Sequence, residues 1–447
     1  MFRNLFLISV LAAALATILY FKPWISEESL PPRIYDRLPE ADIIGQSDIL
    51  DLSRSLSKTM FYYKIPFRDF LSPDFLLSQG KNYGLNFQEP VYFFANEKDK
   101  DLEDWGAIAH LRDSSKIQAG IVYLKKFANV SEFTFLKNKV YQIEASDLSI
   151  VYGEDWIFIY QGKNFKKRIE GVLTAKRNEI APKWRIFFNK RVPAHRPIFA
   201  QLHIEELKEF GIESTEVSMS NDSTHFYFHT VITQFDSLSF QIRKTGRAFE
   251  KQTFTKNLIN LHFDVDRLKQ NEKDPISIIL NKLGRKINFP TKLFLDAWDG
   301  DVSYRLGGFQ TIKEEFITSE LDENFEVTDV VSYRDVRVAG FDLFLSMKEK
   351  KQSFLNNLIS KGLITENENK FRFLFSTPFH IKKNNDGLVF HTSNYSPKLK
   401  SDTTSQIMWT FNYTPIEFFI DSTKTKAVYG KIQVPVQRLI SEYIPAN

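Results

Sequence analysis

The spacing of two histidines, His225 and His229, raises the question of a metal site. They lie four residues apart in THFYFHTV, and on a helix this spacing would bring both imidazoles to one face. The three aromatic residues between them favour a strand instead. In a strand the two Cα atoms lie about 13 Å apart, at ~3.3 Å per residue, too far for two ligands of one zinc ion with bonds of ~2.1 Å. We therefore expect no metal site here, and the sequence suggests no cofactor elsewhere.

Three aspartates, Asp296, Asp299 and Asp301, are concentrated in DAWDGDVSYR. A calcium loop of the EF-hand type needs acidic residues at regular positions and a distal glutamate, and this spacing does not supply them. Asp299 and Gly300 instead form a pair typical of a tight turn before a strand. The aspartates are therefore interpreted as part of a structural turn.

No catalytic residues stand out in the sequence. The 55 acidic residues allow many carboxylate pairs, and none is distinguished by its neighbours. The chain has no cysteine and no GxSxG, SxxK, HExxH, Walker or GxGxxG motif. We expect a protein without catalytic activity. The alternative is a hydrolase of carbohydrate or peptide that uses carboxylates the sequence does not identify.

The N-terminal residues have the composition of a membrane segment. The run from Leu5 to Phe21 contains only two polar residues, and as a helix it would span about 25 Å, close to the ~30 Å hydrocarbon core. We expect an uncleaved single-pass anchor, residues 1–22, with a cytoplasmic N-terminus. A proline-rich spacer, residues 23–40, would follow, with residues 25–447 extracytoplasmic, in the periplasm. The alternative is secretion after signal-peptide cleavage near Ala16.

The strongest local charge lies in residues 162–197, which carry eleven Lys and Arg against two Glu, a net +9 in a chain of net charge +4. The first part has the apolar spacing of an amphipathic helix, and residues 183–191 alternate as a strand does. An anchored domain with this charge would meet anionic phospholipid headgroups, an acidic glycan or another envelope protein rather than nucleic acid. The candidate binding residues are Lys166, Lys167, Arg168, Lys176, Arg177, Lys183, Arg185, Lys190 and Arg191. The alternative is a solvated connector whose charge is incidental.

Two stretches of the chain share one order of strands and helices. Each contains a strand that runs into a short helix, then a strand, a second helix and further strands. Each ends in a hairpin, LSIVYGEDWIFIYQG (148–162) in the first and KKNNDGLVFHT (382–392) in the second. Because the strand connections are of hairpin length, antiparallel pairing is expected. The predicted fold class is α+β, with two similar modules of mainly antiparallel sheet, helices packed on one face, and an N-terminal transmembrane helix.

The expected domain boundaries follow from this repeat. The two modules are residues 41–162 and 257–396. A basic connector and strand-rich bridging segment, residues 163–256, would join them. C-terminal strands and a short helix, residues 397–447, would complete the chain.

The segments LPEADIIGQSDILDL, GAIAHLRDSSKIQAGI and FLDAWDGDVSYRL resemble a loosely defined family of uncharacterised bacterial envelope proteins. The resemblance implies duplicated α+β modules behind a signal or a membrane anchor, and it supplies no catalytic residues. We therefore expect a membrane-anchored, non-enzymatic binding or scaffolding module of the cell envelope. A further alternative is binding of lipid or another apolar ligand between the sheets, which the 42 phenylalanines would suit.

Overall fold

The computed structural model describes residues 31–63, 72–98, 101–190, 196–208, 211–235, 241–270, 275–321, 327–367, 370–373, 378–392, 397–411 and 414–436. The chain divides into two compact units, residues 1–204 and 205–447. The predicted anchor, residues 1–22, lies outside the described residues. Within the described ranges no helix is long and apolar enough to cross a membrane.

The first unit contains an antiparallel sheet and five α-helices in its described part. The strands are β1 (Ile43–Ser47), β2 (Val91–Lys98), β3 (Asp101–His110), β4 (Val130–Phe135), β5 (Asn138–Ile143), β6 (Leu148–Tyr152), β7 (Trp156–Gln161) and β8 (Ile198–Leu202). The helices are α1 (Ile49–Tyr62), α2 (Pro73–Tyr83), α3 (Ile117–Leu124), α4 (Phe165–Thr174) and α5 (Pro182–Asn189). The strands pair in the order β8-β1-β2-β3-β7-β6-β5-β4.

Local sequence signals account for many of these boundaries. The Asp48 carboxylate accepts a hydrogen bond from the backbone N–H of Asp51 (2.8 Å) and caps α1. Asp113 accepts from the backbone N–H of Ser115 (3.1 Å) and caps the short 3₁₀ turn before α3. The predicted hairpin at residues 148–162 is confirmed, since β6 and β7 pair with Leu148 opposite Gln161.

Helices cover both faces of the first sheet. On one face Phe158 packs in a large cluster that includes Trp184 of α5. On the other face its neighbour Ile157 packs with Ile121 of α3. Because consecutive strand residues point to opposite faces, these are two separate layers. Helices therefore lie on both faces of the sheet in this unit, because residues 163–204, which belong to the predicted connector, add α4 and α5 to the second face.

Residues 182–189 form a helix, α5, and not the strand that their alternation indicated. Trp184, Phe187 and Phe188 are buried at helical spacing. Pro182 occupies the first turn, where its fixed φ and missing N–H are tolerated. The sequence fits both periods, and burial of this aromatic stripe selects the helix.

The second unit contains a larger antiparallel sheet. Its strands are β9 (Ile212–Asn221), β10 (His225–Gln234), β11 (Gln241–Ile242), β12 (Gly246–Phe249), β13 (Thr255–Asp264), β14 (Trp298–Leu321), β15 (Val327–Met347), β16 (Ile364–Asn367), β17 (Lys370–Phe373), β18 (His380–Lys383), β19 (Gly387–His391), β20 (Leu399–Asp402), β21 (Ser405–Phe411), β22 (Thr414–Lys424) and β23 (Ala427–Pro435). Its helices are α6 (Glu205–Lys208), α7 (Asp266–Gln270), α8 (Pro275–Lys286), α9 (Thr291–Ala297) and α10 (Lys351–Ser360). The main sheet has the order β9-β10-β23-β22-β21-β13-β14-β15-β19-β18.

The two faces of the second sheet are covered differently. Phe294 of α9 and Leu358 of α10 pack with Leu388 of β19 on one face. On the opposite face Phe249 of β12 packs with Phe344 of β15. The strands β12 and β20 form a two-stranded ribbon over this second face. In the described part of this unit the packed helices therefore lie on one face.

A two-stranded arm extends from β14 and β15. Residues 309–321 pair with residues 327–339 only, and no third described strand joins either edge. Thirteen paired positions at ~3.3 Å per residue give a length of about 43 Å. The arm begins at a bulge where Gly308 has a φ of 72°, a conformation that favours glycine. Six of its described apolar side chains are exposed: Phe309, Ile317, Val327, Val330, Val331 and Tyr333.

The two sheets share an order of pairing. In the first unit β8-β1-β2-β3-β7-β6 are successive neighbours, and in the second β21-β13-β14-β15-β19-β18 are. In each case one helix, α3 or α10, follows the fourth of these strands. The predicted connector, residues 163–256, is divided between the units after Ile204.

Candidate functional site

The predicted anionic-surface residues lie on and beside α4 and α5. Both helices bury their apolar side in the same cluster, through Ile169 and Val172 on α4 and Trp184 and Phe187 on α5. The described lysines of the set are exposed: Lys166, Lys167, Lys176, Lys183 and Lys190. Arg191 lies outside the described residues. The two helices therefore present their lysines on the side turned away from the sheet.

Arg168 belongs to the interior of the first unit and not to this exposed set. Its Nη2 lies 3.2 Å from the Asp104 carboxylate, whose side chain is fully buried, and Nη1 donates to the Glu40 carbonyl (3.2 Å). Tyr160 donates to the same carboxylate (3.1 Å) and Asn96 also binds it. Burial and the charge of Asp104 raise the pKa of Tyr160 to about 12. Arg168 therefore neutralises a buried acid, and its side chain is 19% exposed, so it is not counted with the exposed lysines.

The remaining described members of the predicted set differ in the contacts that they make. Arg177 donates to the Pro31 carbonyl (3.2 Å), and Lys176 lies 3.7 Å from Glu179. The Lys183 ammonium lies 4.7 Å from the centre of the Trp184 ring, within cation–π distance.

Three basic side chains, those of Lys166, Lys167 and Arg185, make no ion pair or hydrogen bond with a described residue. Together with Lys183 they are named here the α4–α5 basic surface. Two of them follow each other at the start of α4, and the other two lie on α5, so the surface is carried by both helices. Its chemistry is that of cations free to meet an external anion.

The histidine and aspartate candidates have local structural partners. His225 and His229 lie on β10, as the aromatic residues predicted, and the His229 Nε2 is 3.0 Å from the Ser220 hydroxyl across the sheet. Asp299 pairs with Lys348 (3.2 Å). Among the described residues no group of three or more His, Asp and Glu side chains could hold a metal ion.

Asp301 lies in a buried polar network beneath the ribbon. Its Oδ1 is 3.1 Å from the Nδ1 of His262 and 2.5 Å from the Arg243 guanidinium. The other His262 nitrogen, Nε2, has no hydrogen-bond partner in the described part of the chain and is 3.8 Å from the Asp402 carboxylate. A Cβ on Gly246 of β12 would lie 2.0 Å from His262 Nδ1, so the ribbon backbone closes directly over the imidazole.

This network holds the ribbon to the sheet. The backbone N–H of Arg247 donates to Asp301 (3.1 Å), and that of Phe249 donates to the Ser303 hydroxyl (2.8 Å). Asn260 donates to the Phe249 carbonyl (3.2 Å). Sheet side chains therefore replace the neighbouring strand that this edge of β12 lacks, and the buried groups are used for structure. No sequence pattern indicated this network, because its members come from strands far apart in the chain.

An apolar groove lies on the α3 face of the first unit. It has a volume of about 580 Å³, within the range of small-molecule sites, and apolar residues predominate in its lining. Helices α2 and α3 form its walls, and Ile150 and Ile157 of the sheet form its floor. Tyr123 is half exposed at the groove, and Val122 and Phe127 are exposed beside it along the chain.

No protein-family model and no curated protein matches the chain. Among solved structures, three crystal forms of TP0453 are similar in part: forms IV and III with a TM-score of 0.32 and 6% identity, and form I with 0.31 and 7%. The alignments cover 46–48% of this chain and 80–83% of TP0453. This similarity is weak and partial, so the site is interpreted from its own geometry.

Proposed function

We propose that this chain is a non-enzymatic binding protein of a bacterial cell envelope, with its α4–α5 basic surface in contact with an anionic partner. The observation that carries the proposal is this group of four cations on α4 and α5, three of them exposed lysines, which have no acidic partner among the described residues. Anionic phospholipid headgroups fit this surface best, because exposed lysines gain affinity from many weak contacts with a charged plane. An acidic glycan or an acidic face of another envelope protein would meet the same cations.

The proposal includes the membrane attachment and the domain plan. Residues 1–22 would anchor the chain, with the body in the periplasm, and secretion after cleavage near Ala16 is the alternative. The body would be a duplicated α+β module, which the shared order of strand pairing supports. The same proposal includes membership of the bacterial envelope family that the three sequence segments resemble.

Vesicle binding tests the proposal. The full chain is compared on phosphatidylcholine vesicles with and without phosphatidylglycerol, at low and at physiological ionic strength. In the triple variant Lys166→Gln, Lys167→Gln, Lys183→Gln, the extra affinity for anionic vesicles should fall about fivefold per lysine. A matched control, Lys58→Gln with Lys137→Gln, changes exposed lysines elsewhere in the same unit. Equal losses in both variants, or none in the triple variant, would remove the basis of the proposal.

A second function, binding of an apolar ligand, is favoured by the groove between α2 and α3. A volume of about 580 Å³ bounded by aromatic and aliphatic side chains suits an acyl chain or a similar molecule. Gly120 lies in the groove wall, and a Cβ there would be 3.2 Å from the Tyr83 ring. Gly120→Val should therefore narrow the groove.

An apolar naphthylamine dye whose fluorescence rises in apolar sites would report this binding. The wild type should bind it and release it when a fatty acid is added, and Gly120→Val should bind it several-fold more weakly. The control, Gly171→Ala, adds a methyl group on α4 where nothing lies within 4 Å. Dye binding that is the same in all three proteins would exclude the groove as the ligand site.

A further inference from the structure

A second cavity, in the second unit, lies among helices α7, α8 and α9. Its volume is about 730 Å³, and its described lining comes from residues 268–269, 277–285 and 292–296. Ser277, Asn281 and Arg285 occur four residues apart along α8 and so share one helical face. That face is part of the lining.

Positive charge predominates in the lining of this cavity. It contains Lys269, Lys282, Arg285 and Lys292 against one carboxylate, Asp296, a net charge of +3. Asp296 lies 3.9 Å from the Lys350 ammonium, which offsets its charge further. Lys269, Lys282 and Arg285 make no ion pair or hydrogen bond with the described residues. These cations line a concave site whose one described carboxylate, Asp296, does not balance their charge.

A buried hydroxyl provides an independent sign of a ligand. Ser277 is 1% exposed and lines the cavity, and its Oγ has no hydrogen-bond partner among the residues that the structure describes. A buried polar atom without a partner is costly, and such atoms in a folded protein require an explanation. A ligand oxygen in the cavity would accept the hydrogen bond that Ser277 can donate.

The shape of α8 makes room for this site. Gly284 is buried on the side of α8 towards α9, and a Cβ there would lie 2.1 Å from the Thr291 hydroxyl. The missing side chain lets the start of α9 approach α8, which brings Lys292 to the cavity with Arg285. Three apolar side chains, Leu268, Ile278 and Leu295, also belong to the lining.

We propose that this cavity binds the phosphate group of an organic phosphate, with Arg285 and Lys282 as its main cationic contacts and Ser277 as a hydrogen-bond donor. A guanidinium offers paired N–H donors that match phosphate oxygens, and ammonium groups add charge without fixed geometry. The apolar lining provides a place for the organic part. This inference is independent of the α4–α5 basic surface. Its ligand could be a soluble organic phosphate or a phospholipid headgroup.

Calorimetric titration of the full chain in a nonionic detergent tests the site. The probes are inorganic phosphate, soluble dihexanoyl phosphatidic acid, and dihexanoylglycerol, which lacks the phosphate. Both phosphate probes should bind, and dihexanoylglycerol should not. Tighter binding of phosphatidic acid than of phosphate would identify a lipid headgroup as the source. Equal binding of the two would identify a soluble phosphate.

Three variants and one control locate the binding. Arg285→Ala and Lys282→Ala should each weaken phosphatidic acid or phosphate binding about tenfold, the value of a charge-assisted hydrogen bond. Lys286→Ala, an exposed neighbour on α8 outside the lining, should leave binding unchanged. Ser277→Ala should weaken binding a few-fold while raising the thermal unfolding midpoint of the ligand-free chain, because it removes an unpartnered buried hydroxyl.

The opposing effects of Ser277→Ala separate a binding role from a structural one. A merely structural hydroxyl would leave phosphate affinity unchanged when removed. The proposal is overturned if Arg285→Ala and Lys282→Ala bind both phosphate probes like the wild type. It is also overturned if Lys286→Ala loses as much affinity as they do, or if dihexanoylglycerol binds as tightly as phosphatidic acid. The triple variant of the α4–α5 basic surface should retain the binding, so the two proposals can fail separately.

Discussion

Replacing Arg168 by methionine should destabilise the first unit by about 3 kcal/mol. Removing one partner from a buried ion pair costs roughly 3–5 kcal/mol, because the remaining charge stays desolvated. The Asp104 side chain is 0% exposed and that of Arg168 is 19% exposed, so solvent relieves only part of the loss. Asp104 keeps hydrogen bonds from Asn96 and Tyr160. The lower end of the range is therefore expected.

Hydrogen exchange on the amides of β3 and α4 is the suitable measurement. A chain with two compact units need not unfold in one step, and local exchange reports the free energy of opening this unit alone. Lys167→Met is the matched control, since Lys167 is the exposed neighbour on the same helix, and its effect should stay within about 0.5 kcal/mol. Asp104→Asn completes a double-mutant cycle with Arg168→Met, and we expect a coupling of at least about 1 kcal/mol.

Equal exchange protection in Arg168→Met and Lys167→Met would refute this reasoning, as would an additive double mutant. Either result would mean that Arg168 is held to Asp104 too weakly to matter and is available at the surface. The expected result has a practical consequence for the proposed function. Vesicle-binding variants of α4 must retain Arg168, because its replacement would change the fold and the surface together.

Three further predictions concern the same unit and the arm. Gly162→Ala should destabilise the first unit by about 2 kcal/mol, because Gly162 has a φ of 145° and a Cβ there would lie 2.6 Å from the Asp104 Cβ; urea titration should show no such loss for Gly171→Ala, an open helical position. Tyr160→Phe tests the raised pKa of the Tyr160 phenol. The stability that the raised pKa contributes is fully present below the ordinary pKa of 10.0, which applies to the unfolded chain. It is lost as the pH rises towards the folded-state pKa of about 12. The stability difference between wild type and Tyr160→Phe should therefore narrow across that interval in pH-dependent unfolding, and a constant difference would contradict the assignment. Joining residue 309 to residue 339 through an Asn-Gly turn removes most of the arm. Calorimetry should find that the free energy of unfolding of the rest of the chain changes by less than about 1 kcal/mol, because an isolated two-stranded ribbon adds little stability. Loss of the folded state would show that the arm supports the core.

Local patterns in the sequence predicted much of the fold. The hairpin at residues 148–162, the strand through His225 and His229 and the amphipathic helix from Phe165 follow from short-range periodicity and turn residues, and the structure has them. The same reasoning failed at residues 182–189, where the aromatic residues satisfy a period of two and a helical stripe equally. Burial of Trp184 and Phe187 in the core decided between the two, and burial is not a local property.

The candidate sites were less accessible to sequence reasoning, because their partners are distant in the chain. In the sequence Arg168 is one of eleven cations in residues 162–197, and its partner Asp104 lies 64 residues away, so the ion pair has no local signal. The phosphate cavity had a signal that could have been noticed, since residues 280–293 contain four basic residues and no acid. The unpartnered hydroxyl of Ser277 had none, because nothing in a sequence shows that a serine is buried.

Comparison of the two sheets indicates where function should be sought. Each sheet carries a buried acid, paired with an arginine, on the strand that precedes α3 or α10: Asp104 with Arg168, and Asp342 with Arg305 at 2.5 Å. Each acid faces away from that helix. Asp104 shares a strand face with Ile108, which packs in the cluster of α4 and α5, and Asp342 shares a strand face with Phe344 beneath the ribbon. The covering of this shared face differs completely, with helices in the first unit and the β12–β20 ribbon in the second. The same pairing order beneath unlike coverings supports the proposal of two related modules whose sheets act as a common frame. If that proposal holds, separate roles are expected in the segments that differ, namely the α4–α5 basic surface, the arm and the α7–α9 cavity.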